Sequence, residues 1–334
     1  MKVAVLSTSY PRTPDDVAGI FVADAVEAVR RRGVDVSVVS PAGFGTFGIA
    51  HGSGIVQNLR GQPWRVALLP AFMAAYALAA RRAARGADLV HAHWLPSALP
   101  ARATGVPYVL QVWGTDIELA RRAPRLARAL VRGARAVVAA SSSLADAARG
   151  LGARRVEVIP AGIDLPEHLS APEQPPHVLF VGRLSPEKGV LDFVSGTEGL
   201  PRRIVGDGPL RSQVAEAVGF VPPAEIGGWY SRASVVCVPS RREGYGMTAR
   251  EAMAHGRAVV ATRVGGLADA FVDGESGVEI PPADPRALRA AVERLLGDEG
   301  ERVRLAVGAR AAAASFSRDA EADSLVALWS ELVR

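Results

Sequence analysis

Cysteine is nearly missing from this 334-residue chain: Cys237 stands alone in the apolar run Val235–Val238. That excludes an intramolecular disulfide, and the position reads as a buried, inert thiol in a reducing compartment. Aromatic residues make up only 6%, so the cores are expected to be aliphatic layers built from alanine and valine. Long hydrophobic runs are missing too. The longest, 66–80, includes Pro70 and falls short of the roughly 20 residues needed to span a bilayer. The apolar stretch 3–6 is too short for a signal segment and reads as a first strand. The expectation is a soluble chain. No Asp-x-Asp motif occurs, so nothing in the pattern points to a metal-bound diphosphate. Lysine is the scarcest of the charged types: of 39 basic residues only Lys2 and Lys188 are lysine. A chain so biased towards arginine that keeps lysine at 188 singles that position out.

What is present is ordinary globular material, 49% hydrophobic and 22% charged, in a length that suits two domains. The net charge of +5 is uneven. Residues 1–170 hold 20 basic against 12 acidic residues, or +8; residues 171–334 hold 19 against 22, or −3. A basic first half fits an acidic or membrane-surface partner, and equally fits a scatter of solvated arginines.

Short Val/Ile-rich strands alternate with helices. In the first half strands are expected at 2–7, 34–39, 88–93, 107–112 and 136–140. Helices are expected at 19–32, 68–85, 124–132 and 143–151. The pattern restarts near 176, with strands at 177–181, 203–205, 235–239 and 258–262. Helices follow at 190–196, 209–217, 248–255 and 285–296. Between the halves, 162–176 holds Pro166, Pro172, Pro175 and Pro176, a density that marks a linker. Alternation of this kind implies parallel sheets. The expected fold is therefore α/β, two Rossmann-like domains with a cleft between them, where ligands meet the carboxyl ends of strands.

Gly43-Phe44-Gly45-Thr46-Phe47-Gly48 has the G-x-G-x-x-G spacing but lacks a following helix and a ribose-binding acid, so it reads as a loop. The segment Val181-Gly182-Arg183-Leu184-Ser185-Pro186-Glu187-Lys188-Gly189 ends a strand in glycine and sets two cations at its carboxyl end. Arg183 and Lys188 there can clamp a diphosphate, or stand as solvated loop charges beside Glu187. In Glu243-Gly244-Tyr245-Gly246-Met247-Thr248-Ala249-Arg250-Glu251 the glycines free backbone N–H groups before a helix whose positive end suits an anion. Thr248 as N-cap with Glu251 as its capping-box partner is the structural alternative. In the first half His91-Ala92-His93-Trp94 and Trp113-Gly114-Thr115-Asp116 each end a strand. His93 reads as a hydrogen-bonding or packed histidine rather than a metal ligand.

Taken in order, Ser-Tyr-Pro (9–11) with Gly19, His-Ala-His-Trp (91–94), Gly-Thr-Asp (114–116), Val-Ile-Pro-Ala-Gly-Ile-Asp (158–164), the 181–189 loop, Val-Gly-Asp-Gly-Pro (205–209) and the 243–251 loop resemble the family 4 retaining glycosyltransferases of GT-B fold. The resemblance covers essentially the whole chain. It implies a nucleoside diphosphate sugar, UDP- or GDP-linked, held mostly by the second domain, with no metal and no other cofactor. Arg183 and Lys188 would neutralise the diphosphate, and Glu243 would hold sugar hydroxyls. Backbone amides of Tyr245, Gly246, Met247 and Thr248, with Gly244, would meet sugar and phosphate. Glu251 would accept from the ribose, and Val221 with its neighbours 219–220 would flank the base. Gly182 and Gly206 would line the donor site, and Gly19 would let the first domain approach the phosphates. His93 and Asp116 would complete the catalytic set, and the helix at 319–333 would cross back to the first domain. The implied domains are 1–165 with 319–334, and 166–318. The implied role is polysaccharide or cell-surface glycan assembly in the cytoplasm, on a glycan, lipid-linked or small-molecule acceptor. Arg60, Arg65, Arg81, Arg82 and Arg85 around an apolar helix fit a peripheral contact with the membrane's inner face, and equally fit a core helix with solvated ends. Nucleic acid is not implied. A soluble acceptor, a GT-B-fold epimerase and an inactive scaffold are the competing readings. Relatives commonly carry histidine where this chain has Trp113.

Overall fold

In the computed structural model the Val/Ile-rich segments form two all-parallel sheets, each in its own compact unit: residues 1–162 with 321–334, and residues 163–320. The structure describes every residue except Pro14, Asp15, Val17 and 51–54, and the side chains of 56, 57 and 115–118 lie outside the description as well.

In the first unit β1 (Lys2–Ser7), α1 (Ile20–Arg31), β2 (Asp35–Val39), α2 (Ile55–Gly61) and α3 (Leu69–Ala83) lead to β3 (Leu89–His93). Then come α4 (Leu95–Ala103), β4 (Tyr108–Val112), α5 (Gly114–Arg122), α6 (Pro124–Gly133), β5 (Ala136–Ala139), α7 (Ser142–Gly150) and β6 (Val156–Val158). The sheet order is β2-β1-β3-β4-β5-β6. Every residue of β3 and β4 is buried, including His91, His93 and Gln111. Such strands are covered on both faces, so they read as continuous apolar runs rather than alternations. The apolar stripe of α1 (Val22, Ala25, Val26, Val29) is buried as its spacing predicts.

In the second unit β7 (Val178–Val181), α8 (Val190–Gly196), β8 (Arg202–Val205), α9 (Pro223–Arg232), β9 (Val235–Val238) and α10 (Met247–Ala254) precede β10 (Ala258–Thr262), β11 (Val278–Ile280), α11 (Pro285–Gly297) and α12 (Glu299–Ala313). The order is β11-β10-β9-β7-β8. Asp284 caps α11 by accepting from the Arg286 and Ala287 amides, with Pro285 at the first helical position. The last helix, α13 (Arg318–Val333), starts in this unit and from Glu321 belongs to the first. There Ala322, Leu325, Leu328 and Trp329 pack into a core with Val3, Val5 and Leu89.

Four features depart from the sequence reading or add to it. The helix expected at 209–217 is only a 3₁₀ turn, Arg211–Gln213. The helix of that region is α9, begun by Pro223 at its first turn and containing Gly227 and Gly228. Paired glycines disfavour helix, so the burial of Tyr230 and the packing of Ile226 and Trp229 on the core decide it. Helix α4 forms despite Pro96 and Pro100. The proline-rich stretch expected as a linker is tied to the second unit: Arg310 donates to Pro166 O at 2.7 Å and Arg257 to Ser170 O at 2.5 Å. Finally, a 3₁₀ turn at Pro63–Leu68 continues into α3, making a helical stretch of 21 residues, Pro63–Ala83, that is long and apolar enough to cross a membrane and of which only Phe72, Tyr76 and Ala80 are buried.

Candidate active site

Strands β7 and β8 end side by side in glycine. Gly206 has φ 136°, and a Cβ there would lie 1.9 Å from the Gly182 carbonyl oxygen, so only glycine permits the approach. Above this floor lies a cavity of about 300 Å³ lined by Gly182, Arg183, Gly206, Phe220, Val221 and Ile226. Phe220 is 62% exposed there. A second cavity of about 330 Å³ flanks β8, but Arg202 there is already paired with Glu216 at 2.7 Å. It contains none of the motif residues.

Beside the β7 end, the two motif loops are docked on each other. Lys188 Nζ meets Glu243 Oε2 at 2.6 Å, and Ser240 Oγ donates to the same oxygen at 3.3 Å. The Arg241 amide donates to Glu187 O at 2.8 Å. Arg241 also grips Asp192 with two bonds of 2.9 and 3.0 Å, the planar fork that suits a carboxylate. An ammonium and a carboxylate from loops 55 residues apart are thus brought together.

Helix α10 begins one turn from Glu243. Its N-cap is Gly246, with φ 88° and no side-chain cap. The capping-box alternative therefore falls: Thr248 is inside the helix, its hydroxyl donating to Val181 O at 3.3 Å, and Glu251 lies too far along to reach back. The first amides of α10 keep the orphan donors that every helix start presents. Glu251 turns inward, accepting from Tyr230 OH at 2.8 Å. Burial raises its pKa, with the Tyr230 hydrogen bond opposing and Asp164 adding to the rise.

In the first unit His93 is 3% exposed and stacks on His91, with ring centres 4.6 Å apart. Burial holds His93 well below the usual histidine range, with His91 pushing the same way, and His91 itself falls to about 3. Both are neutral at physiological pH. Among the described residues no group of three potential metal ligands comes together. Half-buried Trp94 and Trp113 close the ends of β3 and β4 around Phe21, with centroids 4.6 Å apart for Phe21 and Trp113. Trp94 holds a φ of 64°, a sparsely populated conformation that costs a non-glycine residue about 1–3 kcal/mol. Gly19 has φ 69°, and a Cβ there would meet Ser9 O at 2.1 Å. Its glycine is therefore demanded locally, whatever else it approaches. The side chain of Asp116 lies outside the described residues.

Comparison with known proteins places these motifs. The model for Glycosyltransferase Family 4 matches residues 18–167, and that for Glycosyl transferases group 1 matches 175–298. The chain belongs to this glycosyltransferase family. Among its relatives are a D-inositol 3-phosphate glycosyltransferase of Xylanimonas cellulosilytica, 33% identical over 61% of this chain and 60% of the relative, and a glycogen synthase of Mycobacterium tuberculosis, 30% identical over 67% and 63%. The chain thus spans less than two thirds of the length of these relatives. Sucrose-phosphate synthase of Thermosynechococcus elongatus has the same fold, with 22% identity, TM-score 0.78, and 99% and 98% of the two chains covered. So does Anabaena HepE, solved with UDP-glucose, at 20% identity, TM-score 0.76, and 99% and 100% covered. These likenesses identify the fold as GT-B.

For a member of this family, the sequence motifs single out Arg183, Lys188, Glu243 and Glu251, and the second unit gathers the Lys188 and Glu243 loops. Sequence reasoning missed Ser240, Tyr230 and the Asp192–Arg241 clamp. Tyr230 was hidden because α9 was not foreseen. Asp192 looked like an ordinary first-turn acid of α8.

Proposed function

We propose that this glycosyltransferase moves a sugar from a nucleoside diphosphate sugar to an acceptor hydroxyl, with retention and without a metal, in polysaccharide or cell-surface glycan assembly. The observation that carries the reading is the Lys188–Glu243 contact of 2.6 Å beside a strand end where Arg183 lines a cavity. The cavity takes the nucleoside, with Phe220 and Val221 against the base and Glu251 accepting from the ribose. Arg183 and Lys188 face the diphosphate. Their fixed charge meets the charge that grows on the phosphate as its bond to the sugar breaks, which is electrostatic stabilisation prepared in advance. The acceptor oxygen takes the place on the sugar carbon that the phosphate oxygen leaves, and the acceptor's proton departs with the phosphate. Glu243 holds sugar hydroxyls, and the uncapped amides at the start of α10 receive the anionic end of the donor. UDP is the first nucleotide to try, followed by GDP, since the structural relative HepE was solved with UDP-glucose.

Calorimetric titration with UDP, GDP and ADP tests this. One nucleotide is expected to bind, and Lys188→Ala to weaken it by about tenfold or more, the loss of one charge-assisted contact. Absence of binding by all three sinks the donor site.

A peripheral membrane contact in the cytoplasm belongs to the same proposal. Trp64, Val66 and Leu78 are 63%, 51% and 51% exposed on the Pro63–Ala83 stretch. No acidic residue occurs between Asp35 and Asp88, an interval holding Arg60, Arg65, Arg81, Arg82 and Arg85. Exposed apolar surface bordered by arginine suits an anionic lipid interface and brings a lipid-linked acceptor within reach. The protein should sediment with phosphatidylglycerol vesicles at low salt and not with phosphatidylcholine vesicles; failure to sediment with either removes the membrane from the proposal.

A further inference from the structure

Arg250 is the most deeply buried charge in the second unit, with 0% exposure. It stands in α10 immediately before Glu251, yet among the described residues no carboxylate forms an ion pair with it. Its guanidinium donates through Nη1 to the carbonyl of Tyr245 and through Nη2 to the carbonyl of Gly266 at 3.2 Å. The same plane lies 3.9 Å from the Tyr245 ring centre and 4.6 Å from that of Phe316. The Gly266 amide in turn donates to Glu243 O at 3.1 Å. Burial lowers the pKa of Arg250, with Tyr245, Asp269 and Glu243 opposing. A guanidinium still keeps its charge. A buried charge without a counter-carboxylate is costly unless hydrogen bonds satisfy it. Burial alone would favour an apolar side chain here. The two-pronged grip on carbonyls of separate loops accounts for the arginine.

We propose that Arg250 is a positioning residue that fixes the Glu243–Gly246 loop and the start of α10 so that their backbone amides meet the terminal phosphate of the donor. The inference rests on the donor-site reading above. It concerns a side chain that faces away from the ligand and acts through the Tyr245 and Gly266 carbonyls. The guanidinium spans both carbonyls because it is a planar fork; an ammonium satisfies one at a time.

The test compares affinities for a nucleoside diphosphate and its monophosphate, because their ratio isolates contacts to the terminal phosphate. The probes are whichever of UDP, GDP and ADP the wild-type protein binds, and the matching monophosphate, titrated by calorimetry beside a melting curve. Arg250→Met is expected to cut the diphosphate-to-monophosphate affinity ratio by about tenfold while monophosphate affinity stays within about threefold, since misplacing a fixed donor by an ångström loses its contact. Arg250→Lys keeps the charge and is expected to leave the ratio lowered; it carries the test alone if Arg250→Met does not fold. An unchanged ratio in both variants overturns the inference and leaves the donor site standing. Equal loss of both nucleotides also overturns it, by showing a merely structural role. Wild-type protein that binds none of the nucleotides overturns the donor site and this inference with it.

Discussion

At position 188 an ammonium faces a carboxylate 2.6 Å away, so on the proposed reading Glu243 competes with the donor's diphosphate for that charge. On that reading donor binding shares or displaces the contact. Glu243→Gln removes the competing negative charge, so nucleoside diphosphate affinity should rise by about threefold to tenfold. Turnover of the nucleotide sugar should fall by at least about tenfold in the same variant, because the sugar hydroxyls lose a charged acceptor. Calorimetry and nucleotide release read the two effects, and a variant that loses affinity contradicts the shared-charge account. Lys188 was legible in the sequence because lysine is so rare in this chain. Arg250 was not, because one arginine among 37 inside a helical pattern carries no mark until its burial is seen. Gly206 lies between these cases. The motif named it, and the structure supplies the reason in the 1.9 Å approach to Gly182. Gly206→Ala should cost about 2 kcal/mol or more in denaturant unfolding, from strain at a left-handed φ combined with a backbone clash.

The elements explain why two loops distant in sequence hold one geometry. Helix α8 supplies Asp192 from its first turn, and Arg241, just beyond β9, closes on it with two bonds. The clamp is half in solvent at the arginine end, so its direct worth is small. Asp192→Asn should cost less than about 1 kcal/mol of stability. It should nonetheless weaken nucleoside diphosphate binding by about threefold, because the Lys188 and Glu243 loops lose a shared anchor; unchanged affinity would show that backbone contacts such as Arg241 N to Glu187 O suffice. At this scale the sequence was most readable where physics is local. Strands β3, β4, β5, β9 and β10 showed as apolar runs, and α1 showed by the spacing of its apolar face. The misses share a cause. Helix α9 contains two glycines and α4 two prolines, so propensity argues against both and tertiary packing settles them. The expected helix at 209–217 failed for a related reason. Arg211 is committed to the Val214 and Ala217 carbonyls, which closes the segment into a turn rather than a helix.

On the scale of the whole molecule, the first unit carries an acid-sensitive element of its own. His91 and His93 are buried in its central strand β3, His91 with its ring 5.3 Å from that of Trp329 on the returning helix α13. In the folded chain His91 stays neutral down to about pH 3, against an ordinary value of 6.5. His93 is likewise held well below that value. The unfolded chain takes up protons on both as pH falls below 6.5 while the folded chain does not, so stability present at neutral pH is lost progressively towards pH 3. Each buried neutral histidine can contribute up to about 1.4 kcal/mol per pH unit within that window. Trp64, Trp94, Trp113 and Trp329 belong to the first unit and only Trp229 to the second. Tryptophan fluorescence therefore follows chiefly the unit that holds the two histidines. Urea unfolding read by fluorescence should show a midpoint that drops between pH 7 and pH 5. His91→Gln, which cannot take up the proton, should flatten that drop by about half if the two histidines contribute alike. An unaltered pH slope in His91→Gln would place the acid sensitivity elsewhere, in the carboxylate–arginine pairs such as Arg155–Glu331 that join α13 to the rest of the first unit.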